Sequence, residues 1–444
     1  MKIGLSDHFT YGKLIRFTMP SIAMMIFTSI YSVVDGFFVS TFAGKTPFAA
    51  VNFIMPFLIM LGALGFMFGA GGSALVAKTL GEGDPHRANR IFSLITYTSI
   101  VVGIVLAILG IVFIRPVAAL LGAEGQMLED SVVYGRIILA ALPFFMLQME
   151  FQSFFITAEK PNLGLITTVI SGIANMVLDA VLVGLLSMGL VGAAVATAIS
   201  QLLGGVIPIL YFLRPNQSLL RLTKTEYDGG VLLKTCTNGS SELMSNISMS
   251  LVGMLYNLQL LKYAGEDGVA AYGVLMYVSL VFAAVFIGYS IGTAPVIGYH
   301  YGAQNHEELK SLLQKSLLII GVCSVGMVVA ALLLSVPLSI LFVGYDPALL
   351  ELTKKGFLVY SFSFLFTGYA IYASGFFTAL NDGITSAIIS FLRTVVFQVA
   401  AVLLLPLLWD IDGIWWSLVV AEGMAVAVSA LFLAGKQKKY HYWY

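Results

Sequence analysis

Long apolar stretches follow one another along almost the whole chain, and short polar segments separate them. A helix needs about 20 residues to cross the hydrocarbon core of a bilayer, and these stretches reach that length. In the first stretch, Asp35 is the only charged residue between positions 22 and 42. The pattern predicts twelve membrane-spanning helices, at 14–42, 46–77, 91–113, 131–157, 163–186, 189–213, 232–261, 268–300, 311–334, 356–379, 384–408 and 411–434.

The composition agrees with this pattern. Hydrophobic residues make up 59% of the sequence, charged residues make up 10%, and the mean hydropathy is +0.94. Because a soluble protein carries about 25% charged residues, the sequence predicts an all-α polytopic membrane protein. The 23 acidic and 23 basic residues balance, which argues against a nucleic-acid partner. Cys236 and Cys323 lie in apolar stretches and do not suggest a disulfide framework.

The basic residues predict the orientation in the membrane. An even number of spans places both termini on one side, and 16 of the 23 Lys and Arg residues lie in segments on that side. Six lie on the other side, and Arg393 falls within a span. Because Lys and Arg concentrate in cytoplasmic loops, both termini are predicted to be cytoplasmic. The N-terminus has no cleavage site for a signal peptide, so we expect a multi-pass protein of the bacterial cytoplasmic (inner) membrane.

The two halves of the sequence match each other at an offset of 221 residues. The segment KTPFAAVNFIMP (45–56) aligns with EDGVAAYGVLMY (266–277), and the same offset holds for several glycines. Each half has six spans, so the repeats are predicted to be parallel, with a binding site between them. We divide the chain into an N-lobe (1–214), a cytoplasmic linker (215–230) and a C-lobe (231–444).

This organisation narrows the class of protein. It leaves no room for an ATP-binding domain, and the sequence has neither a GxxxxGK[ST] motif nor an HExxH motif. The glycine cluster GAGGSA (69–74) lies in an apolar span, where glycine allows close helix packing. We therefore expect a secondary transporter and no enzyme. A channel is an alternative, but the chain offers no repeated selectivity-filter segment.

Three acidic residues lie inside predicted spans of the first half. Asp35 shares a helix face with Tyr31, Asp179 shares one with Asn175, and Glu150 lies in the fourth span. Carboxyl groups inside a membrane are rare and tend to have a function. Burial and mutual repulsion also favour their protonated form. We predict that Asp35, Asn175, Asp179 and Glu150 couple transport to an ion, with interhelical hydrogen bonds that only hold helices together as the alternative.

The second half carries different charges. Glu242 and Asn246 share one face of the seventh span, Arg393 lies in the eleventh span and Glu422 lies in the twelfth. Arg393 is the only basic residue deep in a span, so it should pair with an acid, and both Glu242 and Glu422 are candidates. We interpret these four residues as substrate-binding or structural charges of the C-lobe.

Taken together, these residues resemble the multidrug and toxic-compound extrusion (MATE) transporters. The resemblance rests on Pro20 fifteen positions before Asp35, on the N-x-x-x-D of the fifth span, and on a glycine-rich second span that ends in KTLGEGD. The NGSSE sequence of the seventh span is similar to the bacterial branch that includes the staphylococcal multidrug exporter and the DNA-damage-inducible type. The resemblance covers about residues 10–435.

The resemblance implies two six-helix lobes around a central cleft, and export of cationic or amphiphilic compounds driven by inward H⁺ or Na⁺. It also implies that Asp35, Asn175 and Asp179 form the coupling site of the N-lobe, and that the first helix bends at Pro20. Sodium-coupled members use two acids in the C-lobe. Glu242 matches the first, and the tenth span offers no matching acid within the membrane.

We therefore predict a secondary active antiporter that works by alternating access. Protons are the favoured coupling ion, and Na⁺ could bind at Asp35, Asn175 and Asp179. We expect no cofactor, no catalytic residues and no other metal. The expected partners are the lipid bilayer and small organic cations or amphiphiles, and the protein is expected to be a monomer. The alternatives are a lipid or lipid-linked saccharide flippase of the same superfamily, and a membrane receptor or enzyme.

Overall fold

The computed structural model describes residues 2–443, and these residues form long helices and no β-strand. Ten helical segments have the length and hydropathy of a membrane span, a bent pair adds an eleventh, and the 74-residue segment divides into two. The all-α prediction with twelve membrane helices is confirmed. The helices are α1 (Tyr11–Ala43), α2 (Lys45–Gly81), α3 (Pro85–Leu120), α4 (Gly125–Ala140 and Leu142–Thr157), α5 (Pro161–Leu185), α6 (Gly189–Leu213), α7 (229–264), α8 (266–302), α9 (His306–Val343), α10 (Pro347–Ala379), α11 (Gly383–Leu404) and α12 (Pro406–Tyr440).

Glycine and proline lie at two of the breaks within these long helices, and a third break lies at Trp409 and Asp410, near the start of α12. Gly265 separates α7 from α8 with φ 65° and ψ −152°, a conformation that glycine adopts without a steric penalty. Helix α4 bends by 55° near Ala141, just before Pro143. Proline has no N–H to donate to the preceding turn, so a helix commonly restarts at such a position.

Polar side chains cap helices at equivalent points of the two halves. Asp84 Oδ1 accepts a hydrogen bond from the N–H of Arg87 at 2.9 Å, at the start of α3. Asn305 Oδ1 accepts one from the N–H of Glu308 at 3.1 Å, at the start of α9. The two capping residues are 221 positions apart. Each cap satisfies an N–H that has no partner within the first helical turn.

Helices α2 and α8 form a reciprocal contact between the halves. Gly81 on α2 packs against the carbonyl of Tyr299 on α8, and Gly302 on α8 packs against the carbonyl of Lys78 on α2. Both pairs are related by the 221-residue offset, so the contact has the symmetry that an internal repeat requires. A Cβ atom on either glycine would overlap the facing backbone. The lobe boundaries at 214 and 231 stay a prediction.

Both ends of the described chain lie on the same side of the bundle. Lys315 Nζ, in α9, donates to the carbonyl of Phe9 at 2.6 Å, and the rings of His306 and His441 lie 5.0 Å apart. We call this side the terminal side and the opposite one the far side. Even-numbered helices therefore run from the far side to the terminal side.

The two halves touch in the terminal half of the bundle and separate toward the far side. On the terminal side, a Cβ on Gly239 of α7 would overlap the carbonyl of Met67 on α2. By contrast, Gly36, Gly253 and Gly273 lie in the far halves of α1, α7 and α8, and no described atom lies within 4 Å of a Cβ built on them. The buried apolar residues on the far side of the C-terminal half also form a cluster of their own, so a cleft separates the halves there.

The segment that joins the halves runs as an extended strand-like chain along α3. The N–H of Arg221 donates to Asn89 Oδ1 at 2.7 Å, and the N–H of Thr223 donates to Ser93 Oγ at 2.8 Å. These hydrogen bonds satisfy backbone N–H groups that lie outside any helix. The connection is thus fixed against the first half on the terminal side.

Candidate ion-coupling and substrate site

Asp35, Asn175 and Asp179 lie together in the N-terminal half, between α1 and α5. The side chain of Asp35 neighbours the side chains of Asp179 and Asn175. Asp179 and Asn175 are buried, whereas Asp35 is only half-buried. The helices approach each other closely because Gly172 on α5 leaves room for the ring of Phe27 on α1. Asp35 is thus the most exposed of the three residues.

Neither acid of this site has a positively charged partner. Among residues 2–443, no Lys, Arg or His nitrogen lies within 4.0 Å of a carboxylate oxygen of Asp35 or Asp179. Both oxygens of Asp179 and Oδ1 of Asp35 are buried and lack a hydrogen-bond partner there. Ionised carboxylates only accept hydrogen bonds, so two of them in contact need a proton or a cation between them. The arrangement is suited to bind either one.

A hydrogen-bonded network from α4, α5 and α6 supports this site. Gln148 Nε2 donates to Ser171 Oγ at 3.2 Å, and Ser171 Oγ donates to the carbonyl of Ser200 at 2.6 Å. Asn175 Nδ2 lies 3.5 Å from Thr197 Oγ1. The apolar pattern alone does not single out Gln148, Thr197 or Ser200. The only signal for the last two is their three-residue spacing on a helix whose one other polar side chain is Gln201.

Two helices change their winding at charged residues. Helix α5 is π-helical from Asp179 to Leu185, and α11 is π-helical from Leu392 to Phe397, a stretch that contains Arg393. In a π-helical turn the hydrogen bonds run from residue i to i+5, and such turns are frequent at functional sites. The pattern of apolar residues does not predict them, because the helix continues in the same direction.

Glu150 has its contacts elsewhere in the N-terminal half. It is fully buried in α4, and its Oε1 accepts a hydrogen bond from Thr96 Oγ1 of α3 at 3.0 Å. Its Oε2 has no partner among the described residues. Gln148, two positions earlier, is the α4 residue that joins the network around Asn175. A part for Glu150 in ion coupling stays a prediction.

In the C-terminal half, Arg393 pairs with Glu422. Arg393 Nε lies 2.9 Å from Glu422 Oε2, and Arg393 Nη2 lies 2.9 Å from Glu422 Oε1. This two-pronged geometry matches the planar guanidinium to the carboxylate. Glu422 is 2% exposed, so the pair is largely shielded from solvent. Of the two candidates that the sequence left open, the structure selects Glu422.

Glu242 is left without an ion pair within the described chain. It lies on α7, and Asn246 Nδ2 donates to its backbone carbonyl at 2.8 Å. Arg393 is the cation whose charge acts on the Glu242 carboxyl, but the two do not form a salt bridge. Glu242 is therefore an acid without an ion pair in the described part of the C-terminal half. Pro20 lies inside α1, and a bend of the helix at this position stays a prediction.

The fold and these sites define the class of polytopic membrane transporters, with two repeated halves around a cleft and unpaired acids within the membrane. The MatE family model matches residues 20–181 and residues 243–403, one segment in each half. The chain belongs to the MatE family, and the predicted resemblance to MATE transporters is confirmed.

Individual relatives agree over nearly the full length. The chain is 26% identical over 425 residues to the multidrug export protein MepA of Staphylococcus haemolyticus (strain JCSC1435), covering 95% of this chain and 93% of that one. It is 24% identical over 426 residues to MepA of Staphylococcus aureus (strain MRSA252), with the same coverage. A crystal structure of MATE in complex with MaL6 superposes with a TM-score of 0.92 at 22% identity, covering 97% of both chains. An outward-facing MATE family transporter of the MOP superfamily gives the same values, and these likenesses show the fold.

Proposed function

We propose that this protein is a secondary active antiporter that exports cationic or amphiphilic compounds in exchange for protons. The observation that carries the proposal is the pair of neighbouring acids, Asp35 and Asp179, which has no cation of its own inside the membrane. The MatE membership and the multidrug export function named for the MepA relatives support it.

The proposed mechanism uses competition for one negatively charged site. When the pair is ionised, it attracts a cationic compound into the cleft. When a proton binds between the two carboxyls, the charge falls and the compound is released. Alternating access then moves the site between the two sides of the membrane as the halves rock against each other.

Sodium is the second candidate for the coupling ion. Na⁺ would use oxygen ligands, and Asp35, Asn175, Asp179 and Thr197 bring several oxygens to one place. The unpartnered Oδ1 of Asn175 is the observation that favours this alternative. Protons remain our proposal because two carboxyls in mutual reach share a proton without further ligands.

We propose that the terminal side faces the cytoplasm of a bacterium, since most basic loop residues lie there. The cleft would then be open to the exterior, where a compound is released and a proton enters. A flippase for a lipid-linked pyrophosphate fits less well. It would need free basic residues in the cleft, and Arg393 is already bound to Glu422.

The test is efflux of a fluorescent organic cation from proteoliposomes under separately imposed proton and sodium gradients. We expect an inward proton gradient alone to drive export, and the apparent affinity for the cation to fall as the pH is lowered. Asp35→Asn and Asp179→Asn should reduce export to the level of protein-free vesicles. The amide keeps the shape of the side chain but does not exchange a proton.

The matched control is Asp267→Asn, because Asp267 is an exposed acid without an ion pair in the described chain. It should export like the wild type. Normal export by Asp35→Asn and Asp179→Asn would refute the coupling role of the pair. A requirement for sodium at any proton gradient would select the sodium alternative.

Glu150→Gln tests whether Glu150 takes part in coupling or is only structural, since a purely structural acid tolerates replacement by the amide.

A further inference from the structure

A groove runs along the outer surface of the N-terminal half, between α1 and the start of α5. It is an open surface depression of about 560 Å³, and its lining includes Ile15, Arg16, Met19, Pro20, Asn162 and Leu165. The lining is mostly apolar, and it contains one charged side chain, that of Arg16. The groove lies at the terminal-side end of both helices.

The groove faces away from the cleft. The opposite face of α1 carries Thr18 and Ser21, which pack against Gly292 of α8 in the other half. The groove residues Ile15 and Met19 are instead 41% and 51% exposed. In a protein that spans a bilayer, an exposed apolar face on the outside is in contact with lipid. The groove is therefore a lipid-facing surface and no part of the proposed transport path.

Arg16 has no acidic partner within the described chain. It is exposed, and none of the ion pairs among residues 2–443 includes it. Lys160, which precedes α5 and lies two positions before Asn162, is likewise without an ion pair there. Two uncompensated cations thus flank the terminal-side end of an apolar groove. Basic side chains at this depth attract the phosphate groups of anionic lipids.

An apolar path continues from the groove toward the middle of the membrane. On α5, the exposed side chains recur at steps of four, three and four residues, so they form one stripe. The stripe consists of Ile166, Ile170, Ile173 and Val177, which are 43% to 54% exposed. From Asn162 to Val177 the helix rises about 22 Å, more than the ~15 Å of one leaflet of the hydrocarbon core. An acyl chain fits along this length.

We infer that this groove binds an anionic phospholipid, with the phosphate on Arg16 and an acyl chain along α5. Charge complementarity selects an anionic over a zwitterionic headgroup, because Arg16 and Lys160 offer two positive charges without an ion pair, and the adjacent acid, Glu159, already pairs with Lys2 at 3.8 Å. The bound lipid would bridge α1 and α5, the two helices that carry Asp35 and Asp179. It would also contact Pro20 and so stabilise the packing of α1 against α5.

The first experiment measures thermal stability of the purified protein in detergent with added phosphatidylglycerol or phosphatidylcholine of identical acyl chains. We expect a larger upward shift of the melting temperature with phosphatidylglycerol, and loss of that difference in Arg16→Gln. The matched control is Lys310→Gln, which removes an exposed, unpaired terminal-side cation from the other half and should keep the difference. Equal shifts with both lipids in the wild type, or an unchanged difference in Arg16→Gln, would overturn the proposal.

A second measurement does not depend on the folding of an Arg16 variant. All four native tryptophans lie between positions 409 and 443, so the quenching that Met19→Trp adds to that of the wild type reports on the groove. Brominated phosphatidylglycerol should quench this reporter at a lower mole fraction than brominated phosphatidylcholine. Quenching at equal mole fractions, or displacement of the lipid by a lipophilic cation, would show that the groove does not select anionic lipid. Neither readout measures transport, so failure here leaves the antiport proposal standing.

Discussion

The two pairs of ionisable residues inside the membrane differ in how their charges are compensated. Arg393 and Glu422 neutralise each other through two hydrogen bonds, and neither needs an external ion. Asp35 and Asp179 lie beside each other with no basic residue of the described chain to compensate them. The Arg393–Glu422 pair is neutral without any bound ion. The net charge of the Asp35–Asp179 pair would change whenever a proton or another cation binds or leaves. This difference is the reason why we propose that ion coupling takes place in the N-terminal half.

The Arg393–Glu422 pair leads to a prediction about stability. Arg393→Ala leaves the buried carboxylate of Glu422 without its cation, which costs about 3–5 kcal/mol. We expect a clear fall in the melting temperature of the purified protein. Glu422→Gln in the Arg393→Ala background removes the stranded charge and should recover part of the loss.

Glu242→Gln in the same background is the matched control, because Glu242 makes no salt bridge with Arg393. It should recover little or none of the melting temperature. If Glu242→Gln restores stability and Glu422→Gln does not, the pairing is assigned to the wrong acid.

Residues on one helix face were predictable from spacing, and residues that meet across helices were not. Asp35, Asn175 and Asp179 were predictable for two reasons. A charged or amide side chain is costly to bury in an apolar span, and each of the three shares a helix face with other polar residues. Thr197 and Gln148 reach the same site from α6 and α4, and only tertiary packing brings them there. The partner of Arg393 remained open for the same reason, because Glu242 and Glu422 lie on different helices.

At the level of helices, backbone contact through glycine holds the two halves together. Gly71 on α2 faces the carbonyl of Thr235 on α7, and Gly239 on α7 faces the carbonyl of Met67 on α2. With no side chain between them, the helix axes approach closely and dispersion contacts accumulate. A methyl group at either position would force the helices apart.

We therefore predict that Gly239→Ala loosens the contact of α2 with α7. Overpacking of this kind costs about 1–3 kcal/mol, and it should lower the melting temperature. The control is Gly253→Ala on the same helix, where a Cβ meets no atom within 4 Å, and this variant should be neutral. Equal stability of the two variants would show that the glycine contact does not limit the approach of the helices.

The presence of each helix was easier to predict than its ends, bends and changes of winding. The twelve apolar stretches each correspond to one helix, because the length of a bilayer span fixes the pattern. Several helices extend past the predicted ends, as in α3 and α9, since a helix continues into water until a cap or glycine ends it. Helix α11 instead ends at Leu404, before the predicted end at 408. The 55° bend of α4 and the π-helical segments depend on local packing that the apolar pattern does not encode.

For the whole molecule, the repeat explains both the closed terminal side and the open far side. Contacts such as Gly81 with Tyr299 and Gly302 with Lys78 are the same contact made twice, once from each half. Two halves joined at one end by a symmetric contact form a cleft that opens at the other end. For the terminal side to open, these contacts must come apart together. The N-terminal segment adds a second, asymmetric connection on that side.

The segment before α1 is bound to both halves. The N–H of Leu5 donates to Glu159 Oε1 at 2.7 Å, in the turn between α4 and α5. The N–H of Phe9 donates to Glu308 Oε1 at 2.9 Å, and His8 Nδ1 lies 2.7 Å from Glu308 Oε2. Glu308 is at the start of α9, so residues 5–9 connect the two halves on the terminal side. Opening of that side must break one set of these bonds.

Removal of the Glu308 carboxylate should therefore favour the state that is open to the terminal side. Phe9 is fully buried, and loss of the acceptor for its N–H costs the closed state about 1–3 kcal/mol. The measurement is the distance between spin labels at Arg87 and Lys310, which are exposed on the terminal side of opposite halves, after Cys236 and Cys323 are replaced by serine. Glu308→Ala should shift the distribution to longer distances, whereas Glu307→Ala, which removes an exposed neighbouring acid, should leave it as in the wild type. Identical distributions for both variants would mean that the glycine contacts alone hold the terminal side closed.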